Sequence, residues 1–315
     1  MSDTAIVVRD LKKSFGSVQA VRGVSFDVQR GTVFGLLGPN GAGKTTVIRM
    51  LTTLMQPDEG TAKIEGYDVI KDAHAVRTVI GLAGQYAAVD ETLTGRENLV
   101  MVGRLYHMGI KAATARADEL LWEFGLEDAG DRTLQTYSGG MRRRLDLAAS
   151  LVNRPSVLFL DEPTTGLDPQ SRIALWKIIH DLVSRGTTVL LTTQYLDEAD
   201  YLANHIVIID QGRVIESGTP EELKARVGND VLEVRIKNIS QINAATSALR
   251  SLGAGNVRVD LMLNQLSMPL ENGMGVVPKA IRALDIAHVE IDDLTLRHPT
   301  LDEAFLSLTG HSPRI

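Results

Sequence analysis

The chain contains no cysteine, which excludes a disulfide framework, a thiolate metal site and a cysteine nucleophile. It has no apolar run of about 18 residues, the length a membrane-spanning helix needs. Its opening, MSDTAIVVRDLKKSFG, lacks a basic stretch followed by an apolar one. Neither a span nor a signal peptide is therefore expected, and any role at a membrane must come through a partner. Positive charge is not in excess either: 33 Lys and Arg against 39 Asp and Glu leave a net charge of −6. That disfavours a non-specific nucleic-acid binder, and no nucleic-acid partner is expected. Internal repeats, low-complexity segments and sustained heptads are also lacking.

What is present is a globular composition, 44% hydrophobic and 23% charged over 315 residues. Such a chain can bury one large core and carry an appendage of roughly 90 residues. Short apolar or β-branched runs, AIVV, VSFDV and TVFGLL, read as strands separated by glycine-containing turns. Beyond the third, Val47, Ile48, Leu51 and Leu54 recur at helical spacing and predict a helix over 44–55. Between Glu91 and Val152 the pattern is helical, so an insertion of about 86–152 is expected to interrupt the sheet. SVLFL, TTVLLT and HIVIID then return as the continuous apolar strands of a sheet buried on both faces. TPEEL at Thr219–Leu223 is a helix start of the capping-box kind. RVGND soon after reads as a hinge, which puts the domain boundary at 227/228. The remainder, 228–315, has βαββαβ order, the order of a small ferredoxin-like α+β module.

Three stretches carry chemistry. GPNGAGKT, Gly38–Thr45, matches the G-x-x-x-x-G-K-[ST] pattern and stands between a predicted strand and a predicted helix. Backbone N–H groups of such a loop curl around phosphate oxygens, and the helix N-terminus adds its positive end. Gly38, Pro39, Asn40, Gly41, Ala42, Gly43, Lys44, Thr45 and Thr46 are thus candidate phosphate-binding residues. Lys44 would reach the β- and γ-phosphates, and the Thr45 hydroxyl would ligate Mg²⁺. VLFLDEPTTGLD, Val157–Asp168, ends an apolar strand with two carboxylates. With a P-loop in the same chain, Asp161 is the candidate Mg²⁺ holder and Glu162 the residue that orients and deprotonates the attacking water. In TYSGGMRRRLDLAA, Thr136–Ala149, the residues Ser138, Gly139 and Gly140 open an amphipathic helix and make a second anion-receiving terminus. Arg142–Arg144 on that helix are expected to form a solvated or interface face rather than an RNA site.

SGG ahead of such a helix, about twenty residues before LFLDEP, resembles the signature motif of ABC-type ATPases, and the resemblance covers nearly all of residues 4–220. It implies a P-loop NTPase fold with an antiparallel β subdomain and a helical insertion, and ATP with Mg²⁺ as the cofactors. It also implies a homodimer of ATPase subunits packed head to tail, each signature meeting the γ-phosphate held by the other subunit, at the cytoplasmic face of the membrane against an integral-membrane permease subunit. Carried over residue by residue, Phe15 is similar to the aromatic that stacks on adenine, although a lone Phe can equally be core. Gln85 resembles the Q-loop glutamine that touches Mg²⁺, and Asp168 the aspartate that bridges the two subunits. The chain departs from the family at Tyr137 and Met141, where Leu and Gln are commonest, a variation similar to that of drug and polysaccharide exporters. It departs again at Gln194 in TTQYLDEAD, where the family has a histidine on the γ-phosphate. With the closing LRHPTLDEAFLSLTG, these features resemble the daunorubicin-resistance branch. The expected function is an ATPase driving export of small hydrophobic molecules. An importer ATPase and a non-transport ABC ATPase acting on ribosomes or DNA remain the alternatives, and the YSGG motif argues against a switch-type NTPase.

Overall fold

A computed structural model describes residues 3–84, 89–226, 230–252, 257–270 and 273–309. It divides into two compact units that part in sequence between Pro220 and Glu221, ahead of the boundary expected at 227. Residues 227–229 of RVGND lie outside the described residues.

The first unit holds two sheets. β1 (Thr4–Phe15), β2 (Val18–Gln29), β4 (Glu59–Ile64) and β5 (Tyr67–Asp68) form an antiparallel sheet in the order β2-β1-β4-β5. The second sheet runs β10-β9-β3-β8-β7-β6. It is built from β3 (Val33–Leu37), β6 (Ile80–Ala83), β7 (Val157–Asp161), β8 (Thr188–Thr193), β9 (His205–Asp210) and β10 (Arg213–Gly218). All pairs in it are parallel except β10 against β9.

The continuous apolar runs predicted for this sheet have a direct physical use. On β7, Val157 and Phe159 join one core cluster and Leu158 and Leu160 the other; on β8, Leu190 joins the first and Val189 and Leu191 the second. A strand with period-two alternation and both faces covered has to be apolar at every position. One cluster packs α1 (Lys44–Leu51) and the antiparallel sheet against the parallel sheet. The other packs its second face against α5 (Gly139–Ser150), α6 (Pro169–Ser184) and the helical segment.

That segment contains α3 (Gly95–Leu105) and α4 (Ile110–Glu123), with α2 (Ala73–Val79) preceding it and α7 (Leu196–Leu202) far downstream. α3 starts at a capping box: the Thr94 hydroxyl accepts from the Glu97 N–H at 3.1 Å, and the Glu97 carboxylate accepts from the Thr94 N–H at 2.8 Å. α1 stops at Leu51, short of the predicted residue 55. The N–H groups of Leu54 and Met55 both turn back to the Arg49 carbonyl, and Leu54 is exposed, so apolar spacing overran the helix.

In the second unit, after α8 (Pro220–Ala225), the order is β11 (Val231–Ile236), α9 (Ile242–Arg250), β12 (Arg258–Asp260), β13 (Gln265–Pro269), α10 (Val277–Ile286) and β14 (Ile291–Arg297), closed by α11 (Leu301–Thr309). The sheet is antiparallel in the order β12-β13-β11-β14. This is the ferredoxin-like arrangement, with Leu232, Val234, Leu266 and Met268 meeting Ala245, Leu249, Ala280 and Leu284 in a core of its own.

Candidate functional site

Register decides which residues share an edge of the parallel sheet. Leu37 pairs with Thr193, and Asp161 pairs with Thr192. The carboxyl ends of β3, β7 and β8 therefore bring the phosphate loop, the two acidic residues and a pair of buried threonines together, the region where open α/β sheets bind ligands.

From β3 the chain passes through the loop into α1, and this path requires glycine at two points. A Cβ on Gly38 would lie 2.2 Å from the Ile209 carbonyl oxygen. Gly43 has φ +107°, and a Cβ there would lie 2.5 Å from the Ala20 carbonyl oxygen. The loop bounds a cleft of about 380 Å³ lined by Phe15, Ala20, Asn40–Thr46 and Glu162. Phe15 is 48% exposed and belongs to the cleft wall, not to the core. Gly38 and Pro39 contribute through their carbonyls, which accept from Lys44 Nζ at 2.7 and 3.2 Å. The lysine is 4% exposed and its Nζ stands 3.7 Å from Glu162 Oε1. Burial pulls its pKa below the ordinary value, while Glu162 and Asp161 favour its charge. A cation so desolvated, with one long ion pair, favours an anionic ligand.

Thr45 Oγ1 donates to Asp161 Oδ1 at 3.2 Å, and Thr192 Oγ1 donates to the same oxygen at 2.6 Å. A hydroxyl and one carboxylate are the hard-oxygen donors Mg²⁺ takes from a protein when phosphates and water supply the rest, so these residues fit that ion. Gln85 lies outside the described residues. Glu162 has φ +50°, uncommon outside glycine, and its N–H is held by the backbone oxygen and the Oγ1 of Thr192, both at 3.1 Å. Thr192 was not singled out in the sequence. The pair of threonines that follows the apolar run Val189–Leu191 was the available signal.

Ser138, Gly139, Gly140 and Asp168 do not line the cleft. They form a second group. Ser138 caps α5 by accepting from the Met141 N–H at 3.2 Å. Asp168 caps α6, accepting from Ser171 N at 2.9 Å and Ser171 Oγ at 2.6 Å; these bonds hold its carboxyl below the usual range. A Cβ on Gly140 would meet Ser171 Oγ at 2.5 Å, so the two helix starts adjoin. Ser138, Gly139 and Asp168 are exposed. Tyr137, by contrast, is buried, and its hydroxyl donates to the Ala129 carbonyl at 2.7 Å.

One expectation needs correcting. Arg142–Arg144 are not a uniform solvated face: Arg143 is 14% exposed and bonds to the carbonyls of Gly84, Asp161, Glu162 and Pro163. Burial lowers its pKa against the opposing pull of Asp146, Glu198 and Asp161. Gln194 follows β8 directly and is half-buried; it is not among the residues that line the cleft, and it has no hydrogen-bond partner among the described residues.

The chain is similar to known proteins. A family model described as ABC transporter matches residues 21–165. The chain is 53% identical over 315 residues, all of this chain and 99% of the other, to the daunorubicin resistance ATP-binding protein DrrA3 of Streptomyces coeruleorubidus. It is 51% identical to the daunorubicin/doxorubicin resistance ATP-binding protein DrrA of Streptomyces peucetius, over 98% of this chain and 93% of the other. Among solved structures, cbiO1 from Clostridium perfringens, part of the ABC transporter complex cbiONQ, is similar with a TM-score of 0.66 and 26% identity, over 71% of this chain and 92% of that one. The phosphate loop, the acidic strand end and full-length similarity at this level place the chain in the ABC transporter family, as an ATP-binding subunit that hydrolyses ATP.

Proposed function

We propose that this subunit powers a membrane exporter of small hydrophobic molecules, of the drug or lipid-like kind, through a separate permease subunit at the cytoplasmic face of the membrane. We further propose that it works as a head-to-tail homodimer. The observation that carries the dimer is the separation of the two groups: the phosphate loop, Lys44 and Glu162 line the cleft, while the exposed Ser138 and Gly139 at the start of α5 and the exposed Asp168 do not. A second copy would lay that terminus on the phosphate its own chain does not offer it. No described helix is long and apolar enough to cross a membrane, so the translocation path belongs to the partner. The resistance-conferring relatives support the direction of transport and the class of cargo.

In this reading Phe15 stacks on adenine, and the loop N–H groups with Lys44 take the β- and γ-phosphates. Thr45 and Asp161, with Gln85, hold Mg²⁺, which screens the charge on the phosphates. Glu162 orients water and accepts its proton. Asp161 is held in place because Thr45 and Thr192 both donate to Oδ1. Glu162→Gln should retain ATP binding, lower steady-state hydrolysis roughly 10²- to 10⁴-fold and trap an ATP-bound dimer on size exclusion. A variant that hydrolyses at the parent rate, or stays monomeric with ATP, would sink the assignment.

A further inference from the structure

The three arginines that follow SGGM have three different destinations. Arg142 pairs with Glu91 at 2.7 Å, and Arg144 donates to the Phe124 carbonyl at 2.9 Å. Arg143 turns to the strand end that carries the acids. Its Nε donates to the Pro163 carbonyl at 2.6 Å and its Nη2 to the carbonyls of Asp161 and Glu162, both at 3.3 Å. Its Nη1 donates to the Gly84 carbonyl at 2.6 Å and to Asp146 Oδ2, on the same helix, at 3.2 Å. Three successive carbonyls, 161 to 163, thus converge on one guanidinium.

The residue at the centre of that run is the one whose backbone is least comfortable. Glu162 sits at φ +50°, and a non-glycine residue stays there only when its surroundings over-determine it. Thr192 grips its N–H from β8, and Arg143 grips its carbonyl and both neighbouring carbonyls from α5. We infer that Arg143 is a positioning residue for hydrolysis, fixing the Glu162 backbone in the conformation that aims its carboxylate into the phosphate cleft. The inference rests on the reading of Glu162 as the base. A planar fork with five N–H donors can span these acceptors at once, whereas a lysine ammonium, a single point of charge, cannot.

The test uses the full-length chain carrying Arg143→Lys, with Arg143→Gln as a second variant, each alone and combined with Glu162→Gln. Single-turnover hydrolysis, KM for ATP and nucleotide affinity are measured for all. Loss of the fork should lower kcat roughly 10- to 100-fold, as expected for a catalytic group misplaced by about an ångström, with KM and nucleotide affinity kept. In the Glu162→Gln background the same substitutions should cost no further rate, because a residue that acts only through the carboxylate has nothing left to position. Parent kcat in both Arg143 variants overturns the inference, and so does a rate loss that multiplies on top of Glu162→Gln. Loss of nucleotide binding together with rate in both variants would make Arg143 a residue of the fold and overturn it equally. Should Glu162→Gln by itself hydrolyse at the parent rate, the reading of Glu162 fails first, and that outcome is read from the single variant.

Discussion

Gln194 stands one residue beyond the threonine that pairs with Leu37, so β8 delivers it to the edge of the sheet where phosphate is expected. Its amide can donate an N–H as a histidine would, but it cannot titrate. Gln194→Ala should slow turnover about 10- to 150-fold, the value of one hydrogen bond to a charged group felt in the transition state, with nucleotide affinity little changed. Gln194→His should stay active and gain a pH dependence near neutrality; rates from pH 6 to 8 compare the two. Glu198 is a second informative residue. It is fully buried, accepts from Trp176 Nε1 at 3.1 Å, and its Oε2 has no partner among the described residues. Burial raises its pKa, against the opposing pull of the nearby Thr193 and Thr164 hydroxyls, the Trp176 N–H and the charge of Arg172. For a carboxyl raised in the folded state, the associated stability is full below the ordinary value of 4.5 and is lost as pH rises through the raised one. Glu198→Gln should flatten the fall in melting temperature above that ordinary value, and parallel pH series for parent and variant would show whether the slope survives.

Among the elements, α3 has the clearest local cause. Its capping box satisfies two donors at the helix start, and its buried Leu99 enters the core cluster shared with α4 and α5. Thr94→Ala should cost about 0.5–2 kcal/mol, read as a lowered melting temperature, with no change in nucleotide affinity because the cleft is lined by other elements. α1 gives the opposite lesson. Its start was legible, since glycine before Lys44 and the apolar spacing both announce it, but its end was not. Leu54 fits the helical period and yet is exposed, because the chain turns at Thr53, φ +62°, toward β4. Periodicity records which residues are apolar; it does not record where the backbone leaves the helix.

For the whole molecule, the two units carry separate cores, and every described residue of the cleft belongs to the first. A chain ending at Arg226 should therefore still bind nucleotide, and titration of a folded truncation that no longer binds would show the second unit shaping the site. By itself the sequence determined the α/β class, the strand-loop-helix around GPNGAGKT, the acidic strand end at Asp161 and the βαββαβ order after Asp230. Each of these is encoded by neighbours in the chain: apolar period, glycine at a turn, a capping pair. Only the tertiary structure decided that Thr192 would clamp Asp161 and Glu162, because that depends on the register of β7 against β8. It likewise decided which arginine of three would turn inward. On a helix, adjacent residues differ by about 100° in direction, and only the packing of α5 against β6 and β7 sets which of those directions meets the Gly84 and Glu162 carbonyls.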